Sequence, residues 1–154
     1  MRRPTNSVPG MTLEEFASRF RSVAAGETRV VTVQSDGFLP KGEFGFLEFY
    51  CPDPKCDCRR VNLRVTSPDG RAWATISYGW ESKRFYSRWA RANKNGADMA
   101  GASLDPLNTQ SPFADAFLSF FNDMIVTDQK YVERLKRHYR MFKEPANGSL
   151  TKDP

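Results

Sequence analysis

Apolar residues recur along this chain with two different periods. Leu13, Phe16, Phe20 and Val23 fall on one helical face. Just before them, Thr12-Leu-Glu-Glu15 has the form of a capping box, in which the Thr12 hydroxyl accepts from the Glu15 amide and Glu15 reaches back. These features predict a first helix that opens at Thr12 and stops near Gly26. The period then changes to two. Residues 29–33 are rich in β-branched side chains and predict a short strand. A loop carrying Gly37, Pro40 and Gly42 leads to the aromatic run 43–50, predicted to be a strand buried on both faces. Residues 59–65 alternate, with Val61, Leu63 and Val65 inward and Arg60, Asn62 and Arg64 outward. Pro68-Asp-Gly70 supplies a turn, after which residues 71–78 place Ala72, Ala74, Ile76 and Tyr78 inward. Short links without crossover helices predict an antiparallel meander of three to four strands.

The remainder is helical. Residues 82–93 put Phe85, Trp89 and Ala92 on one face and Arg84, Arg88 and Arg91 on another. The Gly, Ala, Asn and Pro of 95–110 predict a loop. Ser111-Pro112 opens a helical pattern that runs to Glu144, with a break near Thr127-Asp128. Phe117, Phe121, Met124, Tyr131, Leu135, His138 and Phe142 share one face of it. Pro145 ends the pattern. Residues 1–10 and 145–154 read as flexible tails, so that 11–144 form a single α+β domain, its sheet packed against the C-terminal helices.

Composition adds constraints. With 154 residues and 40% hydrophobic content, the chain can build a core without disulfides. No stretch approaches the roughly 18 apolar residues of a membrane helix, and the charged N-terminus is followed by no signal-peptide apolar run. Its three cysteines are odd in number and confined to eight residues, unlike a secreted disulfide framework. A reducing compartment, the cytoplasm, is expected. The net charge of +5 favours acidic partners, either nucleic acid or an acidic protein surface. Two basic sets carry the excess: Lys83, Arg84, Arg88, Arg91 and Lys94, then Lys130, Arg134, Lys136, Arg137, Arg140 and Lys143. Solvated helix faces explain the same residues. No nucleic-acid-reading motif, GxSxG elbow, phosphate-cradling glycine loop or deaminase signature occurs.

The cysteines carry the sharpest chemistry. In Cys51-Pro-Asp-Pro-Lys-Cys56-Asp-Cys58, the predicted pairing sets Cys51 at the end of one strand and Cys58 at the start of the next. The hairpin brings these two together, Cys56 projects from its tip, and three sulfurs can supply three corners of a zinc tetrahedron. Three free thiols are the plain alternative. The fourth corner is open: His138, the only histidine, lies on the helical face expected to pack on this sheet, while Asp53, Asp57 or water are its rivals.

These residues also resemble a known group. The cysteine segment running on into Arg59-Arg60, then Tyr78-Gly-Trp-Glu81, then Tyr131-Val-Glu-Arg-Leu-Lys-Arg-His-Tyr139, resemble bacterial proteins that carry CxxPxCDCRR, YGWE and RLKxHY motifs in this order. The resemblance spans residues 44–143. It implies that Cys51, Cys56, Cys58 and His138 form one site, and it implies no activity. The expectation is a structural zinc ion in a binding or adaptor module. A zinc-dependent hydrolase-like enzyme with an open coordination position is the alternative.

Overall fold

The computed structural model describes residues 7–8, 11–90, 96–108 and 110–144. Strands β1 (Ser7–Val8) and β2 (Met11–Thr12) form a two-residue ladder. After them come β3 (Glu14–Glu15), a 3-10 turn (Phe16–Ser18), α1 (Arg21–Glu27), β4 (Arg29–Val33), β5 (Gly42–Tyr50), β6 (Arg60–Thr66) and β7 (Ala72–Gly79). Then follow α2 (Lys83–Ala90), a 3-10 turn (Gly96–Met99), β8 (Gly101–Leu104), α3 (Ala114–Thr127) and α4 (Gln129–Lys143).

Six strands make one antiparallel sheet, in which β4, β5, β6 and β7 pair in order as the expected meander and β8 adds to its β7 edge. The free edge of β5 is shared. Strand β4 covers Gly42–Phe46 of that edge, while β3 pairs with Phe49 and Tyr50 beyond its reach. One sheet face packs on α3 and α4. Phe44 meets Phe117 edge-on with centroids 4.9 Å apart, Tyr78 meets Phe121 at 5.4 Å, and Tyr50 meets Phe142 at 5.8 Å. All seven residues predicted to share the apolar helical face are buried. The break also falls where expected: α3 ends at Thr127, and Asp128 caps α4 by accepting from the Tyr131 amide at 3.2 Å.

Several expectations are corrected. Thr12 opens no helix. Glu14 and Glu15 are strand, because the backbone groups of Phe49 and Tyr50 on the β5 edge need partners, and α1 starts only at Arg21. Leu13, Phe16 and Phe20 are buried nonetheless. Residues 95–110 are not all loop: Gly96–Met99 coil into a turn and Gly101–Leu104 pair with β7, raising the strand count to six. Ala72 is exposed, since the β6–β7 register shifts between Val65 and Thr66. Asn62 is buried, because the second sheet face is covered by α2 and the 96–108 segment. Arg91 and Ala92 of the predicted 82–93 helix, Lys94 of the first basic set, and residues 1–6, 9–10 and 145–154 of the predicted tails lie outside the described residues.

Candidate metal centre

Parity along β5 decides what each face of the sheet carries. Phe44, Phe46, Glu48 and Tyr50 point to the helices, so the chain leaves the strand with Cys51 directed to the other side. The connection to β6 then doubles back. Asp53 takes the Lys55 amide on its carboxylate at 2.9 Å and the Cys56 amide on its carbonyl at 3.1 Å, a turn closed by aspartate. Arg59 follows Cys58 with a positive φ of 49°, costly for a side-chain-bearing residue. Two tyrosines hold it there. Its N–H donates to the Tyr139 hydroxyl at 3.0 Å, and its carbonyl accepts from the Tyr86 hydroxyl at 2.6 Å.

This loop brings the Sγ atoms of Cys51, Cys56 and Cys58 within 4.8 Å of one another. Zn–S bonds of about 2.3 Å at a tetrahedral angle place sulfurs about 3.8 Å apart, so the three fit one ion after small adjustments. Cys51 and Cys58 are buried and Cys56 is half-buried, and all three are free thiols. Burial, then the neighbouring Cys56 sulfur, push the Cys58 thiol up to about 12, against the opposing pull of Lys143. Burial and Cys51 raise Cys56 as well. Without a cation the cluster therefore favours protonated sulfur. A dication would reverse that preference and release protons.

The structure does not bring His138 to these sulfurs. Its Nδ1 lies 2.6 Å from Glu48 Oε1 and its Nε2 lies 2.7 Å from Glu27 Oε1, while its ring stacks on Phe16 with centroids 4.1 Å apart. The ring is 0% exposed. It sits on the helix face of the sheet, where parity also puts Glu48, whereas Cys51 and Cys58 line the opposite face. Glu48 Oε1 additionally accepts from the Tyr50 hydroxyl at 2.8 Å. Burial works against the Glu27 carboxylate, but hydrogen bonds from His138 and Arg137 outweigh it and hold its pKa below the ordinary value.

The last helix does reach the cysteine loop, through neighbours of His138. Besides holding Arg59, Tyr139 faces the Cys56 carbonyl at 3.5 Å, and Lys143 Nζ donates to the Asp53 carbonyl at 2.6 Å. Neither aspartate rival is among the residues grouped with the sulfurs. Asp57 binds the Arg59 guanidinium at 2.8 and 2.9 Å, and Asp53 serves its turn. In Tyr78-Gly-Trp-Glu81, Gly79 is required by close approach: a Cβ there would stand 2.4 Å from the Met99 carbonyl oxygen and 2.7 Å from the Tyr86 hydroxyl. Trp80 packs edge-on against Tyr139 at 5.2 Å, and Glu81 pairs with Arg59 at 3.4 Å. Thus YGWE supports the loop.

The sequence reading did not single out Glu27 or Glu48 as partners of the histidine. A signal existed for Glu48, a carboxylate at the inward parity of an aromatic strand, opposite the one inward-facing histidine. Much of the second basic set is committed internally. Arg134 donates to the Glu27 carbonyl, Arg137 to the Glu27 carboxylate, and Lys136 pairs with Glu133. Lys83, Arg84 and Arg88 of α2 are exposed. Among the described residues, no helix is long and apolar enough to cross a membrane. Compared with known proteins, the chain matches no family model, no curated protein and no solved structure.

Proposed function

We propose that this chain is a small zinc-binding module in which Cys51, Cys56 and Cys58 hold the ion, and that the ion fixes the β5–β6 turn for a binding role. The observation that carries this reading is the convergence of three sulfurs within 4.8 Å on a turn that two tyrosines and Lys143 already brace. The exposed Lys83, Arg84 and Arg88 supply a surface for an acidic partner, nucleic acid or protein, in a reducing compartment such as the cytoplasm.

A hydrolase-like reading has one observation in its favour: among the described residues, no histidine or carboxylate joins the three sulfurs, which leaves the fourth corner to water or a ligand. Two facts weigh against it. Three thiolates more than neutralise a dication and weaken its pull on a bound water. The one histidine, enclosed between Glu27 and Glu48, is not available as a base there.

Cobalt substitution tests both readings. The binding module predicts tetrahedral d–d bands with thiolate charge-transfer intensity. An octahedral spectrum without charge transfer would discard the cysteine site, and turnover of activated esters by the zinc form would favour the enzyme. Titration with generic DNA and RNA at two salt concentrations tests the basic surface. Nucleic-acid binding there predicts an affinity that falls with salt, and no binding removes that partner.

A further inference from the structure

The second sheet face is half-open to solvent, and among the described residues no side chain fills the space above it. A cavity of about 600 Å³ lies between it and the segment formed by α2, the 96–99 turn and residues 105–107. Its floor is a polar row across three strands, Asn62, Ser77 and Ser103, which the strand register places side by side. Its walls include the apolar side chains of Phe49, Trp89 and Met99. Asp105 holds the cover in place. Its carboxylate accepts from Asn62 at 2.9 Å, from the Leu107 amide at 2.9 Å and from Asn108 at 2.8 Å. The cover is therefore pinned by hydrogen bonds, while no side chain of the described residues fills the space beneath it. Leu107, 54% exposed, stands at the mouth.

Arg60 is the cation of this cavity. Its guanidinium donates to the Met99 carbonyl and the Ser77 hydroxyl, both neutral acceptors. Ser77, accepting from Arg60, keeps its own proton to donate. The lining also holds Cys51 and Cys58 of the metal centre, Asp105, already receiving three donors, and Asp98, exposed on the 96–99 turn. Because Arg60 donates only to neutral acceptors while Asp105 is occupied by its donors, the guanidinium is left to meet one negative charge, and the acidic groups around it oppose a dianion such as phosphate.

We propose that this cavity binds a small organic monocarboxylate, its carboxylate on Arg60 and Ser77 and its apolar body against Phe49, Trp89 and Met99. Its volume lies within the usual range for small-molecule sites, and the mix of apolar walls with few convergent polar groups is the usual composition. The inference deepens the binding-module reading and rests on it, but not on the zinc.

Dansylglycine, an aryl carboxylate that brightens in apolar surroundings, is the probe, with dansylglycinamide as its neutral counterpart. The wild type is expected to bind the acid saturably, to bind the amide roughly tenfold to hundredfold more weakly, and to release the acid to phenylacetate sooner than to phenyl phosphate. Arg60→Met should abolish the preference for acid over amide, and Ser103→Leu, which fills the cavity and spares Arg60, should weaken both probes. Absence of saturable binding, equal binding of acid and amide, or a preference unchanged in Arg60→Met would overturn the proposal. So would displacement by phenyl phosphate in advance of phenylacetate. If Arg60→Met does not fold, the acid–amide comparison and Ser103→Leu decide alone. Zinc content is measured on the same sample: zinc without probe binding defeats the cavity inference only, and probe binding without zinc defeats the metal reading only.

Discussion

Replacing His138 with alanine removes the middle of a buried row that joins α1, β5 and α4. Glu48, itself 3% exposed, would keep the Tyr50 hydroxyl and lose the imidazole 2.6 Å away. Alanine leaves the buried Glu48 carboxyl without its imidazole partner, a polar group stranded away from water. Breaking such a buried pair costs about 3–5 kcal/mol. The half toward Glu27, which is 34% exposed, adds no more than about 1 kcal/mol. Against a stability of about 5–15 kcal/mol, this removes a large fraction of the total. The expected fall in melting temperature is about 6–20 °C for a chain of this length. Urea titration followed by tryptophan fluorescence measures it, with zinc content determined on the folded variant. The expected result is a large loss of stability with zinc content unchanged. Pairing His138→Leu with Glu48→Leu should recover much of the loss, because an apolar replacement of both partners leaves no stranded polar group. A loss below about 1 kcal/mol, or a folded variant that no longer holds zinc, would refute the reasoning.

Further predictions concern the supports of the site. Gly79→Ala places a methyl group against the Met99 carbonyl and the Arg60 guanidinium, and a loss of about 1–3 kcal/mol is expected in chemical denaturation; a neutral variant would contradict the close approach. Tyr139→Phe strands the Arg59 amide and should lower stability by about 1–3 kcal/mol and speed zinc transfer to a chelator, whereas unchanged transfer kinetics would show that the brace does not reach the metal. Glu27 has a depressed folded pKa, so its contribution is full above the ordinary carboxylate value of 4.5 and is lost as pH falls through the folded value. The stability gap between wild type and Glu27→Gln should therefore close in acid, and a gap constant from pH 7 to about pH 3 would contradict the linkage.

How far the sequence revealed this depends on the range of each signal. The helical face from Phe117 to Phe142 and the inward positions of β6 are repeated many times and read correctly, although Asn62 on the other face of β6 is buried as well. The cysteine cluster is local, and the hairpin that gathers it follows from the strands on either side. Strands β3 and β8 were not legible. Gly101-Ala-Ser-Leu104 has little intrinsic strand preference, and it becomes a strand because β7 offers an open edge and Gly79 permits close approach. Likewise Glu14 and Glu15 are extended by the demand of the β5 edge, although their own pattern resembles a capped helix. His138 shows a different limit. Periodicity gave its face, but a face does not name a partner. Counting parity through β5 would have set Glu48 on the helix side and Cys51 on the other, and so pointed to the carboxylate in place of the metal.

The central claim is that three cysteines bind one zinc ion, and metal analysis tests it most directly. The purified chain is expected to contain one zinc, with Cys51, Cys56 and Cys58 slow to react with a thiol reagent until a chelator is added, and with about three protons released on reloading at neutral pH. Cys58→Ser should hold the ion far more weakly. A folded wild type that contains no zinc, takes up none at micromolar concentration and shows three freely reacting thiols would contradict the account.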